Sequence, residues 1–365
     1  MIKKKIKLYY KNLVQLFFKF LYGNVLVPKN VPNLIKKEKI KNKKYKSFRN
    51  KYYNIYKVEN ARIYTDNNEN VAIIKDNLIL PHISFQQING KLKESKFNSV
   101  VRIGTPSFLK KIKGKVFNLS QGGSGNNYFH FIFDIIPKIH LLTYKKKLKD
   151  IDYYYLTNPK KWQIEILKIL GIKNDKILDS KIYNHIHAEE IYAVDHPWYE
   201  KGYIQYNLNK LPKWIMHENR KTFLKSITKN RNKRIFLDRS NSSFNHCQIE
   251  NLDEITKLVL KKKIKPYKPE QLSFKNQIKL FNNSSLLIGA HGAAFTNIIF
   301  CRPNTKIIEI IPSDHPNQKC KRISKVLNLN YYRIKTTPNN SDINFPFKIK
   351  LNKKNLNQIE KIISL

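Results

Sequence analysis

Cysteine is nearly absent from this chain: Cys247, Cys301 and Cys320 are the only three in 365 residues. An odd number without C-x-x-C spacing argues against a disulfide framework and against a thiolate zinc site. It reads as free thiols in a reducing compartment. Acidic residues are also scarce, 26 against 70 lysines and arginines, which leaves a formal net charge of +44. No carboxylate pair of the Asp-x-Asp kind sits at a strand end, so no metal site is visible. A bilayer-spanning run of about 20 apolar residues is missing as well. The best stretch, Leu13 to Val27, is interrupted by Gln15, Lys19 and Asn24 and lacks the small-residue cleavage site of a signal peptide. Glycine numbers only 11 and alanine is sparse, so the few clusters of small residues carry information.

The positive charge has two readings. Taken alone it suggests nucleic acid or an anionic membrane. Yet the lysines are scattered over nearly every segment and accompany heavy use of Asn, Ile, Tyr and Phe, all written with A/T-rich codons. A nucleic-acid groove would concentrate cations with exposed aromatics, so a nucleic-acid partner is disfavoured. Only the N-terminus shows a charge pattern. Lys3, Lys7, Lys11, Gln15 and Lys19 recur every four residues, while Ile6, Tyr10, Leu13, Phe17 and Phe20 line another face. This spacing predicts a basic amphipathic helix, suited either to an anionic membrane surface or to docking on the chain's own core.

Two segments carry chemistry. Leu286 to Phe300 reads LLIGAHGAAFTNIIF: an apolar strand, a turn of small residues around His291, and a helix. Small residues there admit a ligand close to the backbone, and helix-start N–H groups attract phosphate. The alternative is a strand–helix turn packed tightly for structural reasons. Gly122 to Leu142 reads GGSGNNYFHFIFDIIPKIHLL, a glycine-rich loop entering an apolar helix with His130 and Asp134 at i, i+4. That spacing puts both on one face, where the carboxylate can orient the imidazole and raise its basicity as a general base requires. A satisfied pair at a helix start is the alternative.

The rest of the pattern is α/β. Lys36 to Lys57 reads as a lysine-rich connector, partly helical or loose. Strands are expected at Val71–Ile74, Leu78–Leu80, Tyr153–Leu156, Ile191–Val194, Ile235–Leu237, Leu286–Ile288, Lys306–Ile311 and Tyr331–Ile334. Helices are expected at Trp162–Leu170, Leu252–Leu260, Phe274–Phe281 and Phe295–Phe300. Such alternation implies parallel sheets covered on both faces. Leu356, Ile359, Ile362 and Ile363 have helical spacing and are expected to pack back on the body.

The ordered motifs resemble glycosyltransferase family 61. They are NYFHFIFDIIPKI (Asn127–Ile139), RIFLDRS (Arg234–Ser240), PEQLSFKNQIKLF (Pro269–Phe281), GAHGAAFTNIIF (Gly289–Phe300) and KIIEIIP (Lys306–Pro312), and the resemblance runs from about Val71 to Ile334. It departs from the family pattern at Leu252, where an acid is common, and in having no arginine between Ser240 and Glu254. The resemblance implies a GT-B architecture, two Rossmann-like domains facing a cleft, here with the basic N-terminal helix added. The expected divisions are 1–57 helix and connector, 58–225 acceptor-side domain, 226–345 nucleotide-sugar-binding domain and 346–365 C-terminal helix. It further implies inverting transfer from a nucleotide sugar, which is a substrate, to a glycan or lipid-linked acceptor, with no cofactor. Capsule or lipopolysaccharide biosynthesis at the inner face of the cytoplasmic membrane is the expected setting. His130 is then the base and Asp134 its orienter. Arg239, Gly289, His291, Gly292, Ala293, Thr296 and Glu309 fall to the donor, with Glu309 accepting from ribose or sugar hydroxyls. Asn127, Gln277 and Asn297 fall behind them in supporting places. A basic nucleic-acid-binding protein, or a non-catalytic membrane-surface protein, is the competing reading.

Overall fold

The computed structural model describes residues 2–30, 34–47, 49, 51–66, 70–88, 90–121, 127–199, 202–225, 232–240, 247–337 and 348–365. The glycine-rich loop 122–126 and residues 241–246 lie outside them. The chain forms two compact units, Met1–Asn207 and Leu208–Leu365.

The first unit is built on an eleven-stranded sheet. In chain order its strands are β1 (Lys36–Lys39), β2 (Asn54–Thr65), β3 (Asn70–Lys75), β4 (Leu78–Ile79), β5 (Phe85–Ile88) and β6 (Lys91–Lys93). They continue with β7 (Lys110–Asn118), β8 (Tyr153–Leu156), β9 (Ile177–Asp179), β10 (His185–Val194) and β11 (Gly202–Tyr203). Their order across the sheet is β11-β6-β5-β3-β2-β10-β7-β8-β9, with β1 beside β2 and β4 beside β3. Among the described strands of this sheet only β10, β7, β8 and β9 run parallel; the remaining pairings are antiparallel. The expected all-parallel sheet therefore fails in this unit, and the reason is local. Consecutive strands from β2 to β6 are joined by short turns, which only antiparallel pairing allows. Asp76 and Asn77, both at positive φ (49° and 59°), close β3 onto β4 as a two-residue hairpin. The lysine-rich connector is corrected too: part of it forms β1 and the start of β2. β1 reads KKEK and is fully exposed, so no apolar period betrays it; charge on an edge strand blunts further pairing.

One helical stretch crosses this unit with almost every side chain buried. It is α-helical over Tyr128–His130, opens into a π turn over Phe131–Ile135, and resumes as α-helix over Ile136–Thr143. Asn127 caps it, its Oδ1 accepting from the N–H groups of Phe129 (3.0 Å) and His130 (3.3 Å). Pro137 explains the wide turn, because its ring crowds the carbonyl four residues back and it has no N–H to donate.

The N-terminal helix forms as expected, Ile2–Tyr22. It is held by one stripe near its C-terminal end. Phe18 is 7% exposed and meets Phe108 edge-on at 5.1 Å between ring centres. Tyr22 packs against His185, and its hydroxyl oxygen accepts from the Leu109 N–H at 2.9 Å. No helix among the described residues is long and apolar enough to cross a membrane.

The second unit has a five-stranded, wholly parallel sheet of β12 (Lys233–Leu237), β14 (Lys265–Tyr267), β15 (Ser284–Ala290), β16 (Lys306–Pro312) and β17 (Asn330–Thr336). A separate small pair joins β13 (Gln248–Ile249) to β18 (Lys348–Ile349). The main order is β14-β12-β15-β16-β17. Ranked by appearance in the chain this is 2-1-3-4-5, a doubly wound sheet whose direction of winding switches between β12 and β15. Helices Leu252–Lys261 and Lys353–Ser364 cover one face, where Ile255, Val259, Ile359, Ile362 and Ile363 join Ile288, Ile308 and Ile310 in one core. Residues 208–225, expected with the N-terminal domain, belong here. Arg220 Nη1 in helix Lys213–Phe223 donates to the carbonyls of Ile299 (2.6 Å) and Cys301 (2.7 Å), and Phe223 packs on Phe274. The helix expected at Phe295–Phe300 is a 3-10 helix, Ala293–Phe300.

Two substitutions about half a turn apart separate the faces of the N-terminal helix. Phe18→Ala should destabilise the first unit by about 3 kcal/mol, the order expected for a buried phenylalanine. Phe20→Ala, at a side chain 91% exposed, should leave the urea midpoint unchanged. Equal midpoints for the two variants would contradict this docking.

Candidate functional site

In the first unit the paired residues His130 and Asp134 are in contact. His130 Nδ1 lies 2.8 Å from Asp134 Oδ2, and the carboxylate is only 1% exposed. Residues distant in sequence complete its surroundings. Trp198 Nε1 donates to Asp134 Oδ1 at 2.5 Å, and the Gln121 amide donates to Oδ2 at 3.0 Å. Burial alone would push the Asp134 carboxyl up. The neighbouring His130 and His196, with the hydrogen bonds from His130 and Trp198, outweigh that and hold it below the ordinary carboxylate range.

Gln121 and His196 arrive just beyond the carboxyl ends of the adjacent parallel strands β7 and β10. His196 Nδ1 accepts from the N–H groups of Trp198 (3.3 Å) and Tyr199 (3.0 Å). Burial lowers its pKa to about 3, keeping the ring neutral. The loop is anchored at its start, where Asp195 accepts from Asn54 N–H (2.7 Å) and Tyr56 Oη (2.6 Å). Lys138, one turn beyond Asp134, is buried with Nζ 3.4 Å from the Ser120 carbonyl, over the Phe85 ring. Desolvation pulls its pKa down to about 7 against the opposing pull of Asp134.

His130, Asp134, Gln121 and His196 line a small, partly open pocket, roomy enough for about one water, whose apolar walls include Phe85, Leu92, Trp198, Tyr199 and Ile204. Because Nδ1 of His130 faces the carboxylate, Nε2 is the nitrogen left to take a proton. Asp134 would then stabilise the resulting imidazolium. The glycine-rich loop preceding this helix is outside the described residues.

The second unit gathers most of the expected donor residues at its topological switch point. Arg239 follows β12, and His291 and Gly292 follow β15, the place where ligands of open α/β sheets bind. Arg239 Nη1 donates to the His291 carbonyl, and Lys319 Nζ donates to that of Gly292 at 3.1 Å. Gly292 is extended (φ 170°), so its role is space: a Cβ there would collide with the Arg239 guanidinium. At Gly289 a Cβ would lie 2.8 Å from Leu237 Cβ, which explains the absence of a side chain between β12 and β15. Ala293 opens the 3-10 helix.

Glu309 takes a different part from the one expected. It is 1% exposed, its Oε1 lies 2.5 Å from His291 Nδ1, and its Oε2 accepts from Tyr331 Oη at 2.5 Å. With both oxygens engaged by protein groups it orients the histidine rather than meeting a sugar hydroxyl. Burial alone would raise its pKa; His291 and the hydrogen bonds from His291, Cys320 and Tyr331 bring it to about 2. Thr296 is fully buried and its Oγ1 has no hydrogen-bond partner among the described residues, so it faces the interior. Asn297 Nδ2 donates to Gln277 Oε1 at 2.7 Å, and Gln277 Nε2 to the Leu272 carbonyl at 3.1 Å; both tie the 3-10 helix to helix Phe274–Asn282.

Ligand atoms of His291, Glu309 and Cys320 lie within 4.8 Å of one another. The direct 2.5 Å contact between the first two leaves no room for an ion between them. Burial also holds the Cys320 thiol protonated, well above its ordinary pKa. This set is a hydrogen-bonded network. The chain does contain one Asp-x-Asp pair, Asp150-Ile151-Asp152, at the start of β8. Asp150 accepts from the Lys147 N–H (3.1 Å) and Asp152 from the Lys115 N–H (2.8 Å), which is structural work.

Residues 128–308, about half of the chain, match the model of the family described as Glycosyltransferase 61. The chain belongs to glycosyltransferase family 61. The match covers the His130 helix and ends inside β16, a shorter span than the resemblance from Val71 to Ile334. Two relatives match over shorter stretches. A beta-1,2-xylosyltransferase of Arabidopsis thaliana is 38% identical over 61 residues, 17% of this chain and 11% of that protein. Beta-1,2-xylosyltransferase RCN11 of Oryza sativa subsp. japonica is 35% identical over 63 residues, 17% of this chain and 12% of that protein. Each match thus spans about a tenth of that relative's length.

His196, Trp198 and Gln121 lie outside the motifs, as do His315 and Lys319 around Glu309, and Lys138 lies inside one without a role expected of it. His196, just past the apolar strand Ile191–Val194, carried the one usable signal. The buried neutral imidazoles make an acid-side prediction. Desolvation lowers His196 and His315 to about 3, and His185 to about 4. The unfolded chain would protonate all three near pH 6.5, so their contribution is complete above that pH and is lost as pH falls toward 3. The expected slope is about 1.4 kcal/mol per pH unit for each proton excluded. Urea midpoints should fall already between pH 6.5 and 5, before Glu309 begins to titrate. A flat midpoint over that interval would show these rings to be charged in the fold.

Proposed function

We propose that the chain is an inverting glycosyltransferase of GT-B architecture, moving a sugar from a nucleotide-sugar donor to a glycan or lipid-linked acceptor of surface polysaccharide. The observation that carries this is the His130–Asp134 pair, 2.8 Å apart, with its carboxylate buried and pinned and the imidazole at the wall of a pocket. In the proposed reaction Nε2 of His130 removes the proton of an acceptor hydroxyl. The oxygen attacks the anomeric carbon, forming the new glycosidic bond, and the bond to the nucleoside diphosphate breaks with its electron pair on the leaving phosphate. Asp134 holds the imidazole in the required tautomer and offsets its charge once protonated.

Cations and N–H groups must neutralise the leaving diphosphate. Arg239, Lys319 and the backbone at Gly292 and Ala293 are the groups of the second unit suited to it, at the switch point of a doubly wound sheet. The relatives carry xylosyltransferase names, which favours a pentose among the donors to be tried first. The family membership weighs against the nucleic-acid alternative. Capsule or lipopolysaccharide glycans, made on the cytoplasmic side, remain the proposed acceptors.

A thermal-shift screen across nucleoside diphosphates and nucleotide sugars should reveal the donor. With that donor, His130→Ala should lower release of nucleoside diphosphate to acceptor by on the order of a hundredfold or more, with donor affinity nearly unchanged. Wild-type turnover in this variant would remove His130 from the mechanism.

Gly292→Ala should act on the other half of the reaction. Its methyl group displaces the Arg239 guanidinium, and nucleoside diphosphate affinity should drop about tenfold or more through loss of a charge-assisted contact. Unchanged affinity by calorimetry, with Arg239→Ala likewise silent, would place the phosphate site elsewhere.

A further inference from the structure

We infer that the helix Ile2–Tyr22 is a docking surface for an anionic lipid bilayer. It carries two apolar stripes on roughly opposite sides, at about 100° per residue. One, Phe18 with Tyr22, is used up in holding the helix to its own unit. The other, about half a turn away, runs through Ile6, Leu13, Leu16, Phe17 and Phe20. These side chains are 63%, 47%, 62%, 52% and 91% exposed. An isolated exposed leucine needs no explanation, but an arc of this kind along about 20 Å of helix does. Because Phe18 and Tyr22 already fix the rotation of the helix, the arc cannot turn inward without undocking them.

Charge decides between the possible occupants. Lys5 and Lys19 border the arc on one side and Lys3 and Lys7 on the other, and the helix has no acidic residue. A second copy of the chain would set these lysines against each other, in a protein of formal net charge +44. The helix is not apolar enough to span a membrane. A surface that accepts apolar side chains to a shallow depth and presents negative charge at their margins is the boundary of an anionic bilayer, where such a helix lies in plane. This inference stands on the helix alone and holds whatever sugar chemistry the chain performs.

Vesicle flotation of the full chain tests it, with phosphatidylcholine vesicles compared with vesicles containing phosphatidylglycerol as well. The wild type should float only with the anionic vesicles and should be released by salt. Leu13→Ser with Phe20→Ser should weaken that binding about tenfold or more. Lys3→Gln, Lys5→Gln and Lys7→Gln together should do so by a similar factor. All these positions are exposed, so the urea midpoint serves as a check that each variant is folded. As a second readout, emission from Phe20→Trp should shift to the blue and be quenched by brominated lipid. Absence of wild-type binding, unaltered binding by the serine variant, or unshifted emission at residue 20 would overturn the proposal. So would a dimer in sedimentation that the serine variant dissociates while vesicles remain unbound.

Discussion

An ionised carboxylate buried to 1% exposure places demands on everything around it. Left unpaired, such a charge costs several kcal/mol, and removing one partner of a buried pair is similarly severe. Asp134 is kept charged by groups from three places: His130 on its own helix, Gln121 after β7 and Trp198 after β10. The two strands must then end side by side, as their parallel pairing does, with Phe117 opposite Tyr192. The loop after β10 must also be fixed, and Asp195 fixes it to the opposite neighbour, β2. A single charge thereby specifies the meeting of a helix, two strand ends and a loop.

The second unit solves a similar problem with the opposite outcome. Glu309 is equally buried and also holds a histidine, but His291 is 3% exposed and packs on the ring of His315 at 4.8 Å. His130 instead forms part of a pocket wall. The chemistry of an imidazole–carboxylate pair is the same in both places; access differs. One pair has an opening beside its imidazole, as the proposed proton transfer requires, while the other fixes the turn after β15, whose carbonyls at His291 and Gly292 are held by Arg239 and Lys319.

What could be read in the sequence was local. The His130–Asp134 contact depends on four-residue spacing and survives even the π turn, and the β15 turn is visible as a run of small residues. Gly292 was legible as a place of close approach, though the approaching group proved to be the chain's own Arg239. The remaining contacts were illegible for a definite reason. Trp198 lies 64 residues from Asp134, and Gln121 lies 75 from His196, so their meeting requires the strand order of the sheet. β1 was hidden by composition, since four charged residues on an exposed edge have no apolar period. In Glu309 the residue was found and its role was not, because burial and partners cannot be read from a strand-borne glutamate alone.

The surface and the interior of this protein treat charge differently. The great lysine excess is distributed outside, but Lys138 stands fully buried on the same helix face as Asp134 and His130. A full positive charge there would oppose protonation of His130, because like charges near one another disfavour the charged form. Desolvation weakens this by bringing Lys138 to about 7, so that the charge is only partly present near neutral pH, while His196 stays neutral at ordinary pH. Around Asp134 the positive charge set against the carboxylate is therefore reduced. For the proposed proton uptake at His130, that is the favourable starting state. The imidazolium forms beside a negative charge that Lys138 only partly offsets, and the pair it makes with Asp134 is neutral as a whole inside an apolar wall.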